Sequence, residues 1–320
     1  MSNVAFLWIF SRRMELGVIV LCLLPLRLLL QRKIPRLYSY VLWAALPVNL
    51  IYNLVMRFIV MINRGVLDHV YQSPKIIVDE RVVQAMRACW IGGSVAVVFG
   101  MLCYYILFLR RLVGSIRTQK DVYVTDRINA PFTLGLLRPK IYLPYSLEKE
   151  YYESVILHER VHIARKDVWM KYLAIGTLGL FWFQPILWFA YRLFINDMES
   201  ACDEAVLRKK GVEFREEYAR SLLEVTCETE KVRGVAIGYG NGEIKARIRN
   251  VMNYEPAGAK KRILAISLCI LFTVVAIPIS WQVPRIVRGE LPKEIYVEED
   301  MSISGTGIIK REFSSEENMH

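Results

Sequence analysis

Residues 153–167 read ESVILHERVHIARKD, and this stretch decides how the chain is interpreted. It contains the pattern H-E-x-x-H at residues 158–162. Residues i and i+4 share one face of a helix, so His158 and His162 direct their rings the same way. Two imidazoles in this arrangement bind one zinc ion, and Glu159 between them serves as a general base. Because the chain has only four histidines, the pattern is specific, and it predicts a helical metal site.

A second helix, predicted over residues 197–210 with Gly211 as its C-cap, offers a third ligand. Glu199 and Asp203 lie four residues apart on one face of that helix. Two histidines and Glu199 leave a fourth position on zinc for water, and Asp203 is expected to accept the free ring N–H of a ligand histidine. Taken alone, the two acids also fit a solvated helix face. Cys202 is expected to be buried rather than to bind metal or act as a nucleophile.

The composition favours a membrane protein. Of the 320 residues, 54% are hydrophobic, and the mean hydropathy of +0.28 is high for a soluble chain. A bilayer-spanning helix needs about 20 apolar residues, and four segments are predicted to span: residues 14–30, 37–56, 88–109 and 263–281. The six cysteines include no C-x-x-C pair, so neither a disulfide framework nor a zinc ribbon is expected.

The positions of the basic residues, beside the ends of the predicted spans, explain the formal net charge of +11. Basic residues cluster beside the ends of the predicted spans, and positive charge marks cytoplasmic loops. The chain is therefore predicted to cross the cell membrane several times. Its N-terminus, residues 63–87 and the short tail of residues 282–320 are predicted outside, and residues 112–262 in the cytoplasm. Lipid is an expected partner, and direct nucleic-acid binding is not expected.

The predicted cytoplasmic region is large enough for a domain. It begins with the strand-like segments VYVT at 122–125, APFTLG at 130–135 and KIYLP at 140–144, with Gly135 and Pro139 marking a hairpin. The predicted fold class is mainly α. It is a multi-span helical membrane protein whose cytoplasmic α+β zinc-protease domain combines a small hairpin or sheet with the H-E-x-x-H helix.

Residues 168–195, between the two helices of the metal site, constrain the topology. They are apolar enough to enter a membrane, but one crossing would separate Glu199 from the histidines, and two crossings need about 40 residues. A helical hairpin broken near Gln184-Pro185 is therefore predicted, either packed in the core or dipping into the cytoplasmic leaflet. The glycine-rich residues 232–242 are predicted to form a loop that is open to proteolytic nicking.

These features together resemble the BlaR/MecR family of bacterial antirepressor metallopeptidases. The resemblance is carried by PFTLGLLRPKIYLP at 131–144, HERVHIARKD at 158–167, FWFQPILW at 181–188 and DMESACDEAVL at 197–207. It implies His158, His162 and Glu199 as zinc ligands and Glu159 as the catalytic base. A more distant likeness to membrane gluzincins of the Ste24/HtpX type implies an edge strand that binds the substrate backbone by strand addition. That strand comprises Ala130, Pro131, Phe132, Thr133, Leu134 and Gly135.

The sequence departs from the family pattern in two places. Gln184 stands where the family has asparagine before the proline of the hairpin. The antibiotic sensors of the family carry a large extracellular penicillin-binding domain after the last span, whereas residues 282–320 follow it here and contain no S-x-x-K. Binding of a β-lactam is therefore not expected.

Three functions remain open at this point. The resemblance implies a zinc metalloendopeptidase, with one zinc ion per chain, that acts in signal transduction by cleaving, or triggering the loss of, a winged-helix repressor. Self-cleavage and a homodimer are further expectations. The second function is a membrane protease of the Ste24/HtpX type that processes proteins or peptides. The third is a catalytically silent membrane sensor or scaffold, and the presence of every expected catalytic residue argues against it.

Overall fold

The computed structural model describes residues 3–31, 33–62, 75–233, 241–282 and 285–288. Within these ranges the chain is mostly helical and contains two small sheets, which confirms the mainly α fold class. The predicted nick loop falls mainly on residues 234–240, outside the described ranges. Part of the predicted outer loop, residues 63–74, and most of the tail also lie outside them.

The N-terminal region is helical across the first three predicted spans. Its helices are α1 (Asn3–Leu30), α2 (Arg36–Val41), α3 (Ala45–Ile62) and α4 (Glu80–Arg111). Helix α1 continues through its charged residues, because Arg12 and Glu15 form a buried ion pair and Arg12 donates a hydrogen bond of 2.5 Å to Asn53 of α3. Paired charges are tolerated in an apolar interior where single charges are not. The first helix is therefore longer than residues 14–30.

Two helical segments of the described chain are long and apolar enough to cross a membrane, Arg36–Met56 and Glu80–Arg111. In the first, 39% of the apolar window is buried inside the protein, whereas none of the α4 window is. Helix α4 starts at Glu80 because the Asp79 carboxylate caps it, accepting the N–H of Arg81 at 2.7 Å. Residues 80–87 are thus helical, and their predicted position outside the membrane and the four-span topology stay predictions.

The larger sheet carries the predicted hairpin. Its strands are β2 (Ile116–Arg117), β3 (Val122–Thr125), β4 (Phe132–Leu134) and β5 (Lys140–Pro144), in the order β2-β3-β5-β4, while β1 (Lys75–Val78) pairs with β6 (Arg285–Arg288) in parallel. Strands β4 and β5 are antiparallel, and β3 and β5 are parallel. Gly135 ends β4 at φ +109, where an added Cβ would lie 2.7 Å from the carbonyl oxygen of Arg138. Strand β4 is shorter than residues 130–135 and forms one edge of the sheet.

Six further helices complete the described chain. They are α5 (Tyr152–Arg165), α6 (Asp167–Leu180), α7 (Pro185–Lys210), α8 (Arg215–Arg233), α9 (Asn241–Met252) and α10 (Ala259–Gln282). Helix α7 is much longer than residues 197–210, because Pro185 occupies its first turn, where a missing N–H costs nothing. A buried apolar cluster that includes Val161, Val206 and Leu222 packs α5 against α7 and α8. Gly211 follows α7 with φ +98, as expected for its end.

Helices α6 and α7 form a hairpin whose turn, residues 181–184, contains the predicted break. The hairpin packs into the N-terminal bundle through buried Leu178, Leu187 and Phe194. Arg27 of α1 donates two hydrogen bonds to Asp197 of α7, at 2.6 and 2.7 Å. The hairpin therefore brings the chain back to α5, so that Glu199 of α7 can reach the histidines. The N-terminal helices hold α7 at Asp197, two residues before Glu199.

Candidate metal centre

Helix α5 brings the H-E-x-x-H residues into the interior. His158, Glu159 and His162 are each 8% exposed or less. The helix ends at Lys166, which adopts the left-handed conformation (φ 59, ψ 32) and turns the chain directly into α6. The predicted helix and its shared histidine face are therefore present.

The two histidines and Glu199 of α7 converge on one point. The Nε2 atoms of His158 and His162 lie 3.1 Å apart. The Glu199 carboxylate places Oε2 at 3.3 Å from His158 Nε2 and Oε1 at 3.6 Å from His162 Nε2. Three residues chosen from sequence spacing thus lie within contact distance, although Glu199 comes from a different helix.

Behind His158 lies a buried polar chain. The Tyr218 hydroxyl of α8 donates to Asp203 Oδ1 at 2.7 Å and lies 2.7 Å from His158 Nδ1. Since its only hydrogen goes to Asp203, the hydroxyl accepts from His158 Nδ1–H. Asp203 lies 3.6 Å from the His158 ring, so the predicted direct hydrogen bond is replaced by a relay through Tyr218. Arg247 of α9 completes the chain with two hydrogen bonds of 2.8 Å to Asp203.

A different carboxylate orients the second histidine. Asp167, the first residue of α6, lies with Oδ2 2.7 Å from His162 Nδ1 and is fully buried. The Tyr40 hydroxyl of α2 donates to the other oxygen of Asp167 at 3.0 Å. In their neutral form both histidines therefore carry their hydrogen on Nδ1, and each then presents the Nε2 lone pair to the shared centre.

Glu159 lies beside the edge strand. The Thr133 hydroxyl of β4 donates a hydrogen bond of 2.7 Å to Glu159 Oε2. This contact fixes the glutamate carboxylate next to a strand whose outer edge has no partner strand among the described residues.

Cys202 is the remaining potential ligand near the histidines. Its thiol is fully buried, which confirms the predicted burial, and it lies within 4.8 Å of a donor nitrogen of both His158 and His162, so these three residues form a group able to hold a metal ion. The same thiol donates to the backbone oxygen of His158 at 3.5 Å. Two third ligands, Glu199 and Cys202, are thus within reach of the histidine pair.

The charges of the centre favour a cation between the imidazoles. Burial lowers the pKa of His158, but Cys202 and Glu199 more than offset this effect and raise that pKa to about 10. Burial also lowers the pKa of His162, and Glu199 again reverses the effect and raises it well above its usual value. Burial raises the pKa of Glu199, yet the two imidazoles hold it well below its usual range. Positive charge is therefore strongly stabilised at this point.

A cavity of about 970 Å³ opens onto the centre. His158, His162, Glu159 and Glu199 line it, and the rest of its wall comes mainly from β4, α4, α6, α7 and α8. Lys171 of α6 also lines the cavity, with Nζ at 3.9 Å from Glu199 Oε1. The candidate centre is therefore accessible to a large molecule.

Sequence reasoning missed several residues of the centre. Tyr218, Arg247 and Tyr40 come from distant segments, and no local spacing connects them to the histidines. Asp167 lies inside the quoted stretch, but an unbroken helix would place it on a different face from His162. Only the left-handed Lys166 brings it back.

These features define a class: a largely helical protein with apolar spanning-length helices and a buried two-histidine metal centre of the kind found in metallopeptidases. The chain matches the model of the BlaR1 peptidase M56 family over residues 58–251, more than half of its length, and it belongs to that family. The predicted BlaR/MecR resemblance is thereby confirmed.

Curated relatives agree with this membership. The regulatory protein BlaR1 of Bacillus licheniformis is 28% identical over 174 residues, which is 52% of this chain and 28% of the relative. The methicillin resistance mecR1 protein of Staphylococcus aureus (strain Mu50 / ATCC 700699) is 26% identical over 166 residues, 48% of this chain and 28% of the relative. The matched regions thus span little more than a quarter of these relatives.

Proposed function

We propose that this protein is an integral-membrane zinc metalloendopeptidase that hydrolyses peptide bonds on the cytoplasmic side of the membrane. The observation that carries the proposal is the convergence of two histidine Nε2 atoms and the Glu199 carboxylate within 3.1–3.6 Å of one another. Glu159 lies beside them at the mouth of a large cavity. Membership of a metallopeptidase family supports the same reaction class.

The donor set fits a zinc ion. Ligands placed tetrahedrally at the usual zinc bond lengths lie about 3.3 Å apart, and the three separations of 3.1, 3.3 and 3.6 Å bracket that value. Both Nδ1 atoms are engaged by outer partners, so neither Nε2 atom carries a hydrogen in the neutral rings. A cation between the two Nε2 lone pairs relieves their repulsion, and a zinc ion matches their separation.

Glu199 is the preferred third ligand. Both of its oxygens approach the histidine pair, and it lines the cavity through which water and substrate reach the centre. Cys202 is fully buried, and its hydrogen is engaged by the His158 backbone. A histidine pair with one glutamate keeps one coordination position open toward the cavity, as a catalytic site needs.

Glu159 is the proposed general base. A bound zinc ion would act as a Lewis acid on the scissile carbonyl and make water acidic enough to ionise near neutral pH. Glu159 takes the proton of the attacking water and then passes it to the leaving amine. The hydroxyl of Thr133 holds one oxygen of Glu159, and this leaves the other free for the proton transfer. As zinc ligands, His158 and His162 would be neutral imidazoles with the hydrogen on Nδ1. Tyr218 and Asp167 hold the two rings in place through these Nδ1 atoms.

The edge strand β4 is proposed to bind the substrate backbone. It pairs with β5 on one side only among the described strands, and an edge strand offers free N–H and C=O groups to an extended peptide. Residues 130–134 line the cavity next to Glu159. A peptide added to β4 would therefore lie across the catalytic glutamate.

The proposed biological role is signal transduction. The relatives are a regulatory protein and a resistance protein, and by this likeness the protease cleaves, or triggers the loss of, a winged-helix repressor. Helices Arg36–Met56 and Glu80–Arg111 support a membrane location. The proposed arrangement keeps four spans, a cytoplasmic protease domain and a membrane-associated α6–α7 hairpin.

The test is a comparison of purified proteins in detergent. Wild type and Glu159→Gln are both expected to hold one zinc ion per chain, and only wild type is expected to cleave unfolded casein or itself. Glu199→Gln is expected to lose zinc, whereas Cys202→Ala is expected to keep it. Absence of zinc from wild type, or equal cleavage by Glu159→Gln, would overturn the proposal.

A further inference from the structure

The cavity has a lateral opening between α4 and α6. Helix α4 contacts the hairpin near its own start, where the Trp90 indole donates to the Leu180 carbonyl at 2.8 Å. It contacts the protease sheet near its end, where the rings of Phe108 and Phe132 lie 5.0 Å apart. Between these two contacts, α4 lines the cavity with exposed or half-exposed Gly100, Met101, Leu102, Tyr104 and Tyr105. The side chain of Tyr105 interacts with that of Tyr172 on α6 and narrows the opening. We call this opening the window; it lies between the contact of Trp90 with Leu180 and the contact of Phe108 with Phe132.

The window is apolar and the far end of the cavity is charged. Its α4 wall includes Met101, Leu102 and Tyr104, and its α6 wall includes Tyr172 and Ile175. His158, His162 and Glu199 line the same cavity, where Glu159 contacts Thr133 of β4 and Lys171 of α6 approaches Glu199. In addition, no part of the apolar stretch of α4 that is long enough to cross a membrane is buried inside the protein. The lining therefore changes from lipid-like to polar along one path that ends at the histidines.

We infer that the immediate substrate is an apolar segment of a membrane-associated protein, which enters laterally from the cytoplasmic leaflet between α4 and α6 and extends along β4. This inference rests on the proposed function and names its substrate class. The apolar walls accept aliphatic or aromatic side chains, and the free edge of β4 binds the backbone of an extended peptide. A lipid chain has no hydrogen-bonding groups to use that edge, so the continuity of the window with β4 selects a peptide over a lipid.

Two glycines of α4 make a matched test. A Cβ added at Gly100 or at Gly92 meets no atom within 4 Å, so both positions accept a side chain. Gly100 lines the cavity, whereas Gly92 does not. Gly100→Phe therefore fills the window, and Gly92→Phe places the same side chain on the same helix outside it.

Binding is measured in the Glu159→Gln background, in nanodiscs of phosphatidylethanolamine and phosphatidylglycerol. The probe is a leucine- and phenylalanine-rich peptide with a diazirine photo-crosslinker, and the control probe carries serine and glutamine at the apolar positions. Gly100→Phe is expected to lower the crosslinking yield of the apolar probe about tenfold, because it excludes one buried apolar side chain. Gly92→Phe is expected to leave the yield unchanged, and the polar probe is expected to crosslink weakly throughout.

Equal yields in the two glycine variants, or crosslinks confined to the outer face of α4, would overturn the inference. So would equal crosslinking of the apolar and polar probes, or a diazirine that reacts with lipid alone. If Gly100→Phe fails to fold, as judged by zinc content, Leu102→Asn replaces it and Val95→Asn becomes its control, since both side chains are exposed and only Leu102 lines the cavity. The crosslinking yield does not depend on hydrolysis. The lateral-entry inference can therefore fail while the peptidase proposal stands, and the peptidase proposal can fail while the crosslinking pattern is as expected.

Discussion

His158 and His162 share one helix face, but the groups behind their rings come from different regions of the molecule. The His158 ring is backed by Tyr218 of α8, and beyond it by Asp203 near the end of α7. The His162 ring is backed by Asp167, which in turn receives a hydrogen bond from Tyr40 of the N-terminal helices.

The difference separates a fixed side of the centre from an adjustable one. Asp203 of α7 is held by a two-pronged, part-buried contact with Arg247 of α9, and such pairs have one preferred geometry. Asp167 is held by a single phenol from α2, in the region of spanning-length helices, and by Arg165, whose Nε lies 3.5 Å from Asp167 Oδ2. A shift of α2 therefore reaches His162 before it reaches His158. Four predictions test this contrast.

The largest effect is expected on the fixed side. Asp203→Ala removes both short hydrogen bonds of the Arg247 guanidinium and leaves it the longer contact of 3.6 Å with Glu199. Breaking such a buried pair costs about 3–5 kcal/mol in the free energy of unfolding. Denaturant unfolding in detergent measures the change. The double variant Asp203→Leu with Arg247→Met removes both charges and should recover much of the loss; if it is as unstable as Asp203→Ala, the ion pair is not the cause.

The next effect falls on the adjustable side. Asp167→Asn keeps the shape of the side chain but removes the charge that orients His162, and loss of such an outer partner weakens metal binding about 10–100-fold. A competitive chelator titration measures the zinc affinity. The free energy of unfolding of the metal-free protein should change much less than in Asp203→Ala, and an unchanged zinc affinity would contradict the role given to Asp167.

A pair of tyrosine variants compares the two sides directly. Tyr218→Phe removes a hydroxyl that contacts a ligand ring and should weaken zinc binding about tenfold. Tyr40→Phe removes one that acts only through Asp167, and the net value of one hydrogen bond, about 1 kcal/mol, limits the loss to about fivefold. The same titration measures both. A larger loss in Tyr40→Phe than in Tyr218→Phe would reverse the proposed order.

The smallest effect is a pH dependence of the metal-free protein. A raised pKa in the folded state stabilises the fold below the usual value of 6.5, and this stabilisation is lost as the pH rises through the His158 pKa of about 10. The melting temperature, measured with a chelator present, should therefore decrease as the pH rises from 6.5 to about 10. The fall should end at lower pH and be smaller in Asp167→Asn, because the hydrogen bond from Asp167 helps to raise the pKa of His162 in the folded state. A melting temperature that rises across this range would contradict the assignment.

Sequence patterns predicted the parts of the centre that depend on local periodicity. The histidine pair follows from a spacing of four residues, and the β4–β5 hairpin follows from Gly135 and Pro139. Glu199 was found only because its helix repeats the same spacing with Asp203. These features are encoded within a few residues, and the fold leaves them unchanged.

The parts that could not be predicted depend on long-range packing. The hydroxyl of Tyr40 meets Asp167 across 127 residues of chain, and Arg247 meets Asp203 across 44. The continuity of α1 through Arg12 also depends on a partner in another helix, Asn53. No local pattern encodes such contacts, because each residue alone fits an ordinary surface or loop position.

The parallel pairing of β1 with β6 links the start of α4 mechanically to the chain that follows α10. β1 leads through Asp79 alone into α4, and β6 follows α10, so four backbone pairs join the chain after the last helix to the chain before α4. Tension on the segment beyond Arg288 would therefore be transmitted through β6 and β1 to α4, the helix that forms one wall of the window. This path does not include the residues of the candidate metal centre.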